Sequence, residues 1–214
     1  MTTTLSLPST PIEPRGENRV IFHNLNWSTY QQILHALPGN RAARLTYDRG
    51  TLEITMPSEL HEFSGELIAL FIRILVIELG LKIKTMGSTT LDREDLNRGA
   101  EPDKAFYIQN QPAVAGRRVD LSQDPPPDLV VEVEISHSDI DKLKLYAAMG
   151  VPEFWRYNGK ILRIYQLQGG LYHEVEQSPT FPQVPKIRLY QFLSEGQEDE
   201  IAAEHTLRNW LRSL

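Results

Sequence analysis

Three acids fall in the strand-like run DLVVEVEI, residues 128–135: Asp128, Glu132 and Glu134. Side chains alternate across a strand. Leu129, Val131, Val133 and Ile135 therefore share one side, and Asp128, Val130, Glu132 and Glu134 share the other. An edge strand blunted by charge and half solvated is the plain reading of such a run taken alone. The next segment, SHSDIDKLKLYAAMG, argues for more. It opens a helix, expected from Ser138, whose first turns carry Lys142. Lys142 and Tyr146 stand four residues apart on one helix face, so the helix can aim Lys142 back at the strand it follows. Carboxylates beside a lysine suit a metal-dependent site. Magnesium or manganese prefers oxygen ligands, lowers the pKa of bound water and neutralises a phosphate under attack. A nearby lysine can orient the water or stabilise the pentacovalent phosphate as a point charge. Asp103, which follows Glu101-Pro102, is the second candidate metal ligand beside Glu132.

Several elements must position these groups. STYQQILHAL reads as a helix capped by Ser28 and closed by Pro38-Gly39. RLTYDRGTLEITM reads as a hairpin turning at Asp48-Arg49-Gly50. Ser58 caps a long helix from about Glu59 to Leu79, stopped by Gly80. On it Glu62, Glu66, Ala69 and Arg73 share a face, opposite an expected buried stripe of Phe63, Leu67, Leu70, Ile74 and Ile77. Glu66 stands where a helix can lend a carboxylate to a site, although spacing alone favours a solvated acid. LKIKTMG and KAFYIQN read as strands, and the prolines at 125–127, which cannot donate ladder hydrogen bonds, lead into DLVVEVEI. PEFWRYN, KILRIYQL and LYHEVEQ give three more strands, and a helix begins at about Asp199. Strands and helices alternate in the middle with hairpins outside it. The expected class is α/β or α+β with a mixed central sheet flanked by helices.

Composition narrows the alternatives. The 214 residues, 41% hydrophobic and 23% charged, suit one sizeable domain over residues 19–214 behind a loose tail, residues 1–18. That tail lacks a basic region followed by an apolar core, so it does not read as a signal peptide. The absence of cysteine excludes disulfides, a thiolate zinc site and a cysteine nucleophile, and a cytoplasmic location is expected. Arg73 and Glu78 interrupt LIALFIRILVIELG well before the roughly 20 apolar residues a bilayer requires, so no membrane partner is expected. A net charge of −6 argues mildly against non-specific nucleic-acid binding, since that affinity comes from lysine and arginine neutralising phosphates. The chain carries no glycine-rich phosphate loop, HExxH or GxSxG. His61, His137 and His173 read as surface or packing residues, and Trp27, Trp155 and Trp210 as core or interface anchors.

Taken together, EPDKAFYI, DLVVEVEI and DKLKLYAAMGVPEFWRYNG resemble the Uma2-like restriction endonuclease family of the PD-(D/E)XK nuclease superfamily, over about residues 20–195. The resemblance implies a restriction-endonuclease-like fold, magnesium-dependent hydrolysis of DNA phosphodiester bonds, and a homodimer, because cutting both strands calls for two sites related by symmetry. It makes Asp103 the proline-aspartate acid, Glu132 the acid of the second motif and Glu66 the preceding helix glutamate. One departure stands out: the superfamily lysine two positions after the second acid is here Glu134. An acid there cannot stabilise a developing phosphate anion, although it can bind metal. The family resemblance implies a lysine moved to the following helix, which Lys142 with Tyr146 fits; Lys144 and Lys104 are weaker substitutes. A nuclease for RNA or branched DNA would use the same residues. The rival from another class is a degenerate nuclease fold that binds without cutting, favoured by the acidic balance and the missing strand lysine.

Overall fold

The acid-bearing run lies at the centre of a six-stranded sheet. The computed structural model describes residues 17–87 and 89–214, so all but the last two residues of the expected tail fall outside it. In chain order the elements are β1 (Asn18–Phe22), α1 (Trp27–Ala36), β2 (Arg44–Asp48), β3 (Thr51–Met56), α2 (Glu59–Glu78), β4 (Lys84–Thr85), β5 (Leu91–Arg93), β6 (Arg98–Ala100), β7 (Lys104–Tyr107), α3 (Gln111–Val114), β8 (Leu129–Val133), α4 (Lys142–Ala148), β9 (Glu153–Tyr157), β10 (Leu162–Gln168), β11 (Leu171–Val175), α5 (Lys186–Gly196) and α6 (Glu200–Leu211). One sheet runs β1-β3-β2-β6-β5 and the other β11-β10-β9-β8-β7-β4. The α+β class with a mixed sheet holds: β8 pairs antiparallel with β7 and parallel with β9, across the α4 crossover.

Both faces of β8 are covered, so the half-solvated reading of this strand is replaced. Leu129, Val131 and Val133 enter a core formed with α2, α5 and α6. Val130, on the acid side, packs in a second core with Leu145 and Tyr146 of α4 and Phe154 of β9. The carboxylates on that side are therefore taken out of water and must find partners inside the protein.

Helix α2 begins and ends as its sequence dictates. The Ser58 hydroxyl oxygen accepts the His61 N–H at 3.3 Å. Gly80 follows the last turn at φ +67°, a conformation glycine adopts without a Cβ clash. The buried stripe of the helix is rotated from the expected one. Ile68, Phe71, Ile72 and Leu75 are buried with Leu67 and Ile74, whereas Ile77 is exposed and Phe63 and Leu70 pack only in part. The helix touches β8 on one side and α5 and α6 on the other, which covers a wider arc than one sheet would.

Two starts move. Asn26, not Ser28, caps α1, its side-chain oxygen accepting the Thr29 N–H at 2.8 Å. Both residue types cap well. Helix α4 starts at Lys142, not Ser138, with Asp141 as cap. Ser138 and Asp139 are engaged elsewhere: the Ser138 hydroxyl donates to Glu53 at 3.0 Å and the Asp139 N–H at 3.2 Å. The expected strand at 81–87 shrinks to β4. In the first sheet, Leu45, Tyr47 and Leu52 lie under α1 with Tyr30. By alternation Arg44 and Glu53 project from the opposite face, toward the acids.

Candidate active site

Asp103 sits in the short link between β6 and β7 and is buried. Its Oδ2 accepts the Val133 N–H at 2.7 Å and lies 3.0 Å from His61 Nε2. Its Oδ1 lies 3.4 Å from Arg44 Nε. Burial pushes this carboxyl up, but the hydrogen bond and charge of His61, then Lys142 and Arg44, outweigh it and hold the pKa at about 2. Asp103 is an anion at any ordinary pH. His61 is shifted the other way: burial lowers its pKa, but the bond to Asp103 and the charges of Asp103 and Glu17 raise it above its usual value.

Glu132 is 1% exposed. Its Oε2 accepts from the Lys142 ammonium at 2.6 Å and its Oε1 from the Tyr146 hydroxyl. The i, i+4 face of α4 thus delivers both groups to one carboxylate. Burial is the largest influence on Glu132, opposed by Lys142 and reinforced by Asp103, and it pushes the pKa up to about 7. Lys142 loses through burial but gains more from Glu132, Glu134 and Asp103, so it rises and stays charged. Burial and then Glu132 raise Tyr146, which remains a neutral donor. Glu132 therefore takes up a proton as pH falls through about 7.

Glu134 lies 3.9 Å from Lys142 and 2.5 Å from Arg156 Nη2, on β9. Asp103, Glu132, Glu134, Lys142 and Tyr146 are therefore brought together. Glu66 is not: its side chain is 69% exposed and its Oε1 accepts from Lys104 Nζ at 2.6 Å, which also occupies Lys104. Lys144 points outward to Asp141 at 3.0 Å. Asp128, the third acid of the run, receives the Ile108 and Asn110 backbone N–H groups at 2.6 and 2.9 Å and fixes the loop after β7.

Sequence reasoning misses three participants. His61 is no surface residue: it is buried against Asp103, and its Nε2 also lies 3.4 Å from Glu17. Arg44 comes from a strand distant in sequence and Arg156 from β9, the strand that follows α4, and no local spacing marks either. One signal is available for His61, a polar side chain in the first turn of a helix whose next turns are apolar.

Residues 27–203 match the family Uma2, described as "Putative restriction endonuclease". The chain belongs to the Uma2 family. The Uma2 match contains every acid and lysine of the cluster, from Arg44 to Arg156. No curated protein matches the chain. Among the described residues of this Uma2 protein no helix is long and apolar enough to cross a membrane.

Proposed function

We propose that this Uma2 protein is a magnesium-dependent endonuclease, with manganese as the alternative ion, that hydrolyses phosphodiester bonds of DNA at the Asp103, Glu132 and Lys142 cluster. The observation that carries the reading is Lys142 at 2.6 Å from Glu132 Oε2. A helix lysine thus fills the role that Glu134 leaves vacant on the strand. The donor chemistry fits the ion. Magnesium is usually bound by one or two carboxylates, with phosphate oxygens and waters completing the shell. Asp103 and Glu132 would hold it without a third acid; among the described residues no group of three such side chains is arranged as a metal cluster. In the free protein the Lys142 ammonium and the Arg44 guanidinium stand beside these oxygens as the neutralising cations.

Such an ion, when bound, would acidify water and neutralise phosphate charge. The protein's own groups do the rest. Lys142, kept protonated by its acids, offers a fixed positive charge to the phosphate as negative charge develops on it. Tyr146 fixes the orientation of Glu132 through Oε1, and Glu134, itself gripped by Arg156, holds Lys142 from the far side. His61 and the Val133 N–H keep Asp103 ionised and immobile. Glu66 and Lys104 pair with each other. A second copy would be required to cut both strands, and we assign the active form as a homodimer on that ground.

The test is cleavage of plasmid, single-stranded DNA and RNA by purified protein with magnesium or manganese, beside Asp103→Ala and Lys142→Ala. Metal-dependent cutting that both variants lose supports the reading, and the preferred substrate names its class. Failure to cut any substrate with either ion would turn the assignment to a fold that binds without cleaving.

A further inference from the structure

We propose that the cleft beside Asp103 is a subsite for a second phosphodiester of the nucleic-acid backbone, gripped by Arg41 and Arg44 and filled in the free protein by the Glu62 carboxylate. The proposal rests on the nuclease reading above and adds to it where the substrate strand lies.

The cleft has a volume of about 300 Å³ and is lined by Arg41, Arg44, Pro57, Glu62 and Glu101. The two arginine side chains are only 14% and 15% exposed. Arg41 Nε is buried and has no hydrogen-bond partner among the described residues, whereas Arg44 Nε faces Asp103 Oδ1 at 3.4 Å. A buried donor without an acceptor is costly, and the one on Arg41 marks a place on the cleft wall where an acceptor belongs. Guanidinium forks match phosphate oxygens in shape and charge better than lysine does.

The acids around the arginines differ in how firmly they are held. Glu101 is buried and receives the Leu45 N–H at 2.9 Å, the Thr90 hydroxyl at 2.8 Å and Arg41 Nη2 at 2.5 Å. Asp103 is held by Val133 and His61. Glu62 is different: its side chain is 41% exposed, and it accepts from Arg44 Nη1 at 2.7 Å, with His61 Nδ1 3.9 Å away. A rotamer change takes it into water and frees Arg44 Nη1 for another anion. It stands in the first turn of α2, where the helix dipole also favours an anion. Glu62 therefore marks the position of a phosphate and yields to one. Arg44 touches Asp103 from the same guanidinium, so a phosphate in the cleft neighbours the scissile phosphate rather than coinciding with it.

Fluorescence anisotropy with a short labelled DNA duplex, in chelator so that nothing is cut, tests the subsite across a salt series. Arg41→Gln is expected to weaken binding about tenfold and to lower the slope of log Kd against log salt by about 0.9, the loss of one phosphate contact. Glu62→Gln is expected to tighten binding about fivefold, because the anion no longer competes. A change in folding alone would not move the salt slope. Thermal unfolding identifies a variant that fails to fold, and if Arg41→Gln does so, exposed Glu62→Gln decides. Unchanged affinity and slope in the folded variants would overturn the subsite, as would weaker binding by Glu62→Gln. Inorganic phosphate competing as tightly as the duplex would overturn the backbone assignment. Magnesium-dependent cutting is measured in parallel. Cutting with KM unchanged in Arg41→Gln sinks the subsite and spares the nuclease. Binding that depends on Arg41 and Glu62, without any cutting, sinks the nuclease and spares the subsite. Absence of binding by every form sinks both.

Discussion

Replacing Lys142 by Met keeps most of the apolar stem and removes the ammonium that faces Glu132, Glu134 and Asp103. The carboxyl of Glu132 already stands at about 7, against an ordinary 4.5, while Lys142 opposes the rise. Without Lys142 it rises further, so the folded variant keeps a proton across the neutral range that the unfolded chain has released. The folded state then binds more protons than the unfolded one, and stability must fall as pH increases, by about 1.4 kcal/mol per unit. From pH 6 to pH 8 the variant is expected to lose about 3 kcal/mol. The unaltered protein, whose Glu132 releases its proton near the middle of that interval, loses less. At the alkaline end the total cost approaches the ~3–5 kcal/mol typical of a buried ion pair deprived of one partner. Urea unfolding at both pH values in chelator measures this, with Glu132→Gln combined with Lys142→Met as the control that removes the titrating group and flattens the profile. Parallel pH profiles for Lys142→Met and the unaltered protein would refute the reasoning, because Glu132 would then not be the acid that responds.

Three further outcomes follow from the geometry. Asp103→Asn should reduce metal-dependent cutting by more than about a hundredfold and flatten the acid limb of stability. The folded pKa is depressed, so the stabilisation is present above the ordinary 3.8 and lost as pH falls through about 2; it amounts to about 2 kcal/mol, readable by acid titration of the far-UV signal. Gly99→Ala should lower Tm by about 4–8 °C in calorimetry, since a Cβ there runs into the Asp92 carboxylate and the Tyr30 hydroxyl and breaks their 2.8 Å hydrogen bond. Glu66→Ala, on an exposed side chain, should stay within about 0.5 kcal/mol of the parent in urea unfolding and retain cutting to within about tenfold.

Much of the fold is written in local signals. Ser58 and Gly80 bracket α2, Asp48 to Gly50 turn the first hairpin, and DLVVEVEI carries its alternation openly. The pairing of Lys142 with Tyr146 is also legible, because helical periodicity fixes which residues share a face. Long-range partners are not. Arg44 and Arg156 reach the acids only through strand order, and the His61 role depends on where α2 docks. Ser138 has the chemistry of a cap and so misplaces the start of α4; only the buried Glu53, on a strand far upstream in sequence, reveals what it bonds instead. Helix α5 escapes a sequence reading because Pro185 precedes it without a side-chain cap, although Leu189, Phe192 and Leu193 keep helical spacing. Strand β6 is three residues long, too short for alternation to speak.

Each buried acid of the cluster is matched by a cation or donor from a different part of the chain: Asp103 from α2 and β2, Glu132 from α4, Glu134 from β9, and Glu53 from β1, where Arg19 approaches to 3.1 Å, and from the loop before α4. During folding, each acid left without its counterpart repels its neighbours and resists leaving water. The cluster therefore has no stable half-built form. Whatever chemistry it carries switches on with the last docking event rather than growing by degrees, and a nascent or damaged chain presents scattered acids instead of a weakly active site.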